Sequence, residues 1–113
     1  MLRIWHNPRC SKSRATLALL EDAGHAPEVF LYLATPPDAG MLADVLSKLG
    51  LPAAGVLRTG EAAWKDSSLG KDAPEDDVRA LMLANPILIE RPIVETADSA
   101  RIGRPPEAVL EIL

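Results

Sequence analysis

The stretch His6-Asn7-Pro8-Arg9-Cys10-Ser11-Lys12-Ser13-Arg14 decides how this chain reads. Upstream, Leu2-Arg3-Ile4-Trp5 forms a short, mostly apolar run that reads as a buried strand. Asn7-Pro8 breaks that run. A helical pattern follows over 11–23, with Ala15, Leu19 and Ala23 at i, i+4, i+8, Leu17 and Leu20 widening the stripe, and Gly24 as the stop. The only cysteine of the chain, Cys10, therefore falls in a loop between strand and helix. A helix N-terminus and nearby cations favour the thiolate form of a cysteine, and the thiolate is the nucleophile. Ser13 stands where a dithiol motif would place a second cysteine, so if Cys10 is a nucleophile a second thiol must come from another molecule.

Charge sharpens this reading. The 113 residues carry a net charge of −4, yet residues 1–14 hold Arg3, Arg9, Lys12 and Arg14 and no acid. A basic island on an acidic chain suits a small anion. Nucleic acid would call for a broad basic face. No apolar run approaches the roughly 20 residues of a membrane span, and the N-terminus lacks the pattern of a signal peptide. A soluble cytoplasmic protein, monomeric by default, is the expectation, and a single cysteine agrees with a reducing compartment. One cysteine and two distant histidines make no metal site, and no nucleotide-binding glycine loop is present.

Further along, Val29-Phe30-Leu31-Tyr32-Leu33 reads as a second strand. Thr35-Pro36-Pro37-Asp38 forms a turn that opens a helix with Leu42, Val45, Leu46 and Leu49 on one face and Gly50 at its end. Residues 51–74 suggest short helical turns and loops, and 75–84 a helix through Val78, Leu81 and Met82. Arg91–Thr96 and Ala100–Gly103, joined by a turn at 97–99, form a hairpin, and Pro105-Pro106 opens a final short helix. The order is β-α-β, helices, β-β-α. This α/β pattern is a thioredoxin-like fold with a helical insertion between the βαβ and ββα units, forming one domain over 1–113.

The loop resembles the active-site loop of the glutaredoxin-linked arsenate reductases, the ArsC family, in its shorter branch. Three further segments match in order: Tyr32–Pro37, Asn85–Val94, and Arg101–Glu107 followed by Val109–Leu113. The resemblance covers essentially the whole chain. It implies that Cys10 is the nucleophile on arsenate, and that Arg58, Arg91 and Arg104 hold the oxyanion and its arsenite product. Three guanidiniums around a tetrahedral oxyanion make chemical sense, because arginine stays charged and presents a planar fork of donors. The resemblance also implies a cis peptide at Pro92, glutathione as co-substrate with no bound cofactor, and glutaredoxin as partner.

Around Cys10, Ser13 is placed to set its hydroxyl on the thiolate, and Arg14 lies within the first turns. A protonated His6 would favour the thiolate, although His6 could equally satisfy the backbone of the loop. Arg9 and Lys12 could draw in anions or glutathione, or simply solvate the loop. Trp5 and Trp64 read as packing residues, and His25 has no assigned role. The competing readings are a thiol phosphatase, a Spx-like regulator that binds RNA polymerase, and a related thiol oxidoreductase with another substrate. The phosphatase signature requires an arginine six positions after the cysteine, where this chain has Thr16. Regulators of the Spx type commonly carry a second cysteine where Ser13 stands.

Overall fold

A computed structural model describes all 113 residues. Strand β1 (Leu2–Trp5) is followed by helix α1 (Ser11–Asp22) and strand β2 (Glu28–Phe30). Helix α2 (Ala39–Leu49), a 3-10 turn at Ala53–Val56, helix α3 (Ala62–Lys65), helix α4 (Glu75–Ala84) and a 3-10 turn at Pro86–Leu88 come next. The chain closes with β3 (Ile93–Thr96), β4 (Ala100–Ile102) and a 3-10 helix over Pro106–Ile112. This is the thioredoxin-like order expected from the sequence, with its helical insertion. By its contacts the chain falls into two compact units, one of 1–35 with 91–113 and one of 36–90. No helix is long and apolar enough to cross a membrane.

The first unit is built on a four-stranded sheet in the order β2-β1-β3-β4. β1 and β2 are parallel, which requires a crossover of about a dozen residues, and α1 supplies it. β3 and β4 form the antiparallel hairpin, with β3 also antiparallel to β1. One sheet face carries Ile4 and Val94, which pack with Leu20 of α1 and Val109 of the final helix. The register puts Arg3 opposite Glu28 on one side and Glu95 on the other. Its guanidinium meets them at 3.3 and 3.4 Å. Glu95 is only 2% exposed and also accepts a 2.7 Å hydrogen bond from the Trp5 indole, so charged residues in these strands are paired where they are buried. Trp5 packs edge-on to Phe30 and tilted against Tyr32, as a packing residue should.

Two expectations are corrected in this unit. The strand predicted over Val29–Leu33 stops at Phe30, and 31–35 form a turn in which Ala34 and Thr35 N–H groups donate to the Leu31 carbonyl. The reason is pairing. β2 is an edge strand whose only neighbour is β1, and β1 ends at Trp5, opposite Phe30. A last bond from His6 N–H to the Phe30 carbonyl, 2.9 Å, closes the ladder. Leu31 and Leu33 are left exposed, while Tyr32 is buried.

The second correction concerns α1. Its buried face is Ser13, Thr16 and Leu20, with Leu17 and Leu19 half-buried, whereas Ala15 and Ala23 face solvent. Apolar periodicity misplaced the face because two of its inward positions are hydroxyl residues. Burial of a hydroxyl is tolerated when it is hydrogen-bonded. Thr16 donates to the Lys12 carbonyl at 2.8 Å, and Ser13 is satisfied within the loop.

The second unit follows the sequence closely. α2 is capped by the Asp38 carboxylate, which accepts from Met41 N–H at 2.8 Å, and ends at Gly50 in the left-handed conformation, φ 69°. Leu42, Val45 and Leu46 are its buried residues. α4 begins with Glu75, whose carboxylate accepts from Ala53 N–H and from Arg79 Nε, tying the 53–56 turn to the helix start. A bridge of Leu57 with Ile89 is flanked by bonds from Arg58 N–H to the Leu88 carbonyl and from Glu90 N–H to the Val56 carbonyl, each 2.8 Å.

Candidate active site

Cys10 is the N-cap of α1, in extended geometry, with its carbonyl accepting the first helical bond from Arg14 N–H at 3.0 Å. No side chain caps this helix end, and the first turn contains no acid. Half-buried Cys10 therefore stands at a helix end whose first-turn N–H groups no side chain caps, where the positive end of the helix favours an anion.

Asn7 shapes the loop that delivers Cys10 there. Its side-chain oxygen accepts from Arg9 N–H at 3.0 Å, and its carbonyl accepts from Cys10 N–H at 3.0 Å. Its own N–H donates to Ser13 Oγ at 3.0 Å. The sequence shows Asn7 only as part of the pair that breaks the strand; its side-chain bond to nearby backbone is the usual habit of Asn in turns.

The Ser13 hydroxyl is engaged away from the position expected for it. It lies 2.7 Å from His6 Nδ1 as well as 3.0 Å from Asn7 N, in a fully buried setting, and bonds the loop rather than Cys10. Burial, and then the positive charge of Arg14, hold the His6 imidazole below its ordinary pKa of 6.5. A protonated His6 facing the thiol is thus disfavoured, and its loop-satisfying role is the one the geometry supports. Arg14 donates from Nη1 to the Pro8 carbonyl at 3.0 Å, bracing the loop from its exposed side.

The partner of the thiol comes from the other end of the chain. Arg104 Nη2 stands 3.8 Å from Cys10 Sγ. Arg104 Nε donates to the Arg91 carbonyl at 2.9 Å, so Arg91, Arg104 and Cys10 are gathered within one unit. Arg91-Pro92 is cis, as expected, and so is Arg104-Pro105, which was not anticipated. The segments carrying the two arginines are joined by a bond from Gly103 N–H to the Pro92 carbonyl at 2.9 Å. Arg58 lies in the second unit, its guanidinium 3.3 Å from Glu61 and 3.4 Å from Glu90.

The ArsC family model matches residues 5–112. The chain belongs to the ArsC family. It is 48% identical over 116 residues to an arsenate reductase of Neisseria meningitidis serogroup A, covering 99% of this chain and 97% of that protein. It is 50% identical over 114 residues to a protein of Escherichia coli K12 named uncharacterized protein YfgD, covering 99% and 96%. Among solved structures, an arsenate reductase from Vibrio cholerae superposes with a TM-score of 0.92 at 46% identity, covering 99% of this ArsC-family chain and 97% of the other.

Proposed function

We propose that this ArsC-family protein is an arsenate reductase that works in the cytoplasm with glutathione and glutaredoxin. The observation that carries the reading is Arg104 Nη2 at 3.8 Å from Cys10 Sγ, with Arg104 Nε anchored on the backbone of Arg91. A guanidinium beside a nucleophilic sulfur binds an oxyanion where the sulfur attacks it. Arg91 and Arg104 hold arsenate, and the family resemblance gives Arg58 the same role. The names of the relatives support arsenate as the oxyanion.

In the first step Cys10 Sγ attacks arsenic(V). A sulfur–arsenic bond forms, one arsenic–oxygen bond breaks, and that oxygen leaves as water with protons taken from solvent. Glutathione then adds its sulfur to the same arsenic, and a second oxygen leaves as water. The glutaredoxin thiolate attacks the glutathione sulfur. A disulfide forms between them, the glutathione–arsenic bond breaks, and its electron pair passes to arsenic, which becomes arsenic(III). Water displaces Cys10 from arsenic and arsenite departs. The two electrons come from two external thiols, as a chain with one cysteine requires.

The test is arsenate reduction coupled through glutathione and glutaredoxin to NADPH oxidation. The wild-type chain turns over, and Cys10→Ser does not. Activity retained by Cys10→Ser, or none in the wild type, overturns the reading.

A further inference from the structure

A cleft of about 340 Å³ lies between the active-site loop and the turn after β2. It is lined by His6, Asn7, Pro8 and Arg9 from the loop and by Leu31, Leu33 and Ala34 from the turn after β2. The sheet order accounts for this placement. The loop leaves β1, which lies between β2 and β3. The segments bearing Arg91 and Arg104 flank the β3–β4 hairpin, while the cleft is closed by the turn that follows β2. None of Cys10, Arg91 and Arg104 lines the cleft, yet Cys10 directly follows the lining residue Arg9.

The volume is within the roughly 300–1,000 Å³ range of small-molecule sites. The walls combine an apolar side, Leu31 and Leu33 being 43% and 40% exposed, with a cation. The Arg9 backbone is held by Asn7, but its exposed guanidinium makes no hydrogen bond or ion pair. No acidic residue lines the cleft. The second reactant at Cys10 is a thiol from outside, and a small peptide thiol with carboxylate groups matches this charge and shape.

We infer that the β2-side cleft is the binding site of the thiol co-substrate, with Arg9 anchoring a carboxylate of a small peptide thiol such as glutathione. This rests on the proposed reductase reading. It adds that oxyanion and thiol reach Cys10 from opposite sides of the loop, so neither has to leave before the other binds.

The probe is S-methylglutathione, which forms neither disulfide nor arsenic adduct. It is titrated into the millimolar range against the isotope-labelled Cys10→Ser chain, followed by amide chemical shifts. Shifts concentrated at Arg9, Leu31, Leu33 and Ala34, and largely lost in the additional Arg9→Gln variant, are expected. Shifts centred on Arg91 and Arg104, or no shifts, overturn the inference. In the coupled assay Arg9→Gln raises the KM for glutathione roughly tenfold, the loss of one charged hydrogen bond. The KM for arsenate moves far less, and Arg9→Lys recovers part of the loss. An unchanged KM for glutathione also overturns it. If the wild type reduces no arsenate, the reductase reading falls alone, because the binding titration still decides whether the cleft takes the thiol.

Discussion

Ser13, whose Oγ lies between His6 Nδ1 and Asn7 N, is the residue on which the Cys10 loop depends. Replacing it with alanine leaves two buried polar groups without their partner. Ser13→Ala should destabilise the fold by about 1–3 kcal/mol, read from urea unfolding. His6 adds a pH dependence. Its folded pKa lies below 6.5, so below that pH the unfolded chain binds more protons than the folded one. The contribution is complete above pH 6.5 and is lost as pH falls. Stability should drop on acidification from pH 7 toward 5.5, and His6→Gln should flatten that slope. An equally steep slope in the variant would show that His6 is not its source.

At the scale of elements, α1 meets the 103–105 turn with no room to spare. A Cβ on Gly103 would lie 2.6 Å from Thr16 Oγ1 and 2.8 Å from Pro92 Cγ. Both neighbours are restrained, Thr16 by its bond to the Lys12 carbonyl and Pro92 by the bond its carbonyl accepts from Gly103. Gly103→Ala should cost about 1–3 kcal/mol of overpacking. Because Gly103 precedes Arg104, the displaced turn should also lower kcat/KM for arsenate in variant protein that remains folded. Loss of stability with unchanged kinetics would show that the turn does not set the position of Arg104. In the same elements the sequence was informative only in part. The α2 stripe and its Asp38 and Gly50 ends were readable because that helix buries apolar side chains and uses standard caps. The α1 face was not, because Ser13 and Thr16 are buried through hydrogen bonds that no hydropathy pattern contains.

For the whole molecule, Arg9, Lys12 and Arg14 flank Cys10 in a stretch with no acid, while Arg3 is paired with Glu28 and Glu95, and the overall charge is −4. A dianionic substrate should be drawn to the cations around Cys10, Arg104 among them, and repelled by the net negative charge elsewhere. The attraction acts over a Debye length of about 10 Å at 0.1 M salt, so kcat/KM for arsenate should fall as inert salt is raised. A salt-independent kcat/KM would show that the asymmetry plays no part in capture.

The sequence by itself determined the order of elements, the family, and the lone cysteine at a helix start. Those properties are local or follow from chain-wide motif matches, and covalent order carries them. Only the tertiary structure decided that Ser13 serves His6 and Asn7, that β2 ends at Phe30, that Arg104 reaches Cys10, and that a cleft opens behind Arg9. Each of these depends on which partner stands opposite a given group in space. Residues 10 and 104 are far apart along the chain, and it is sheet pairing and the packing of Gly103 that bring them together.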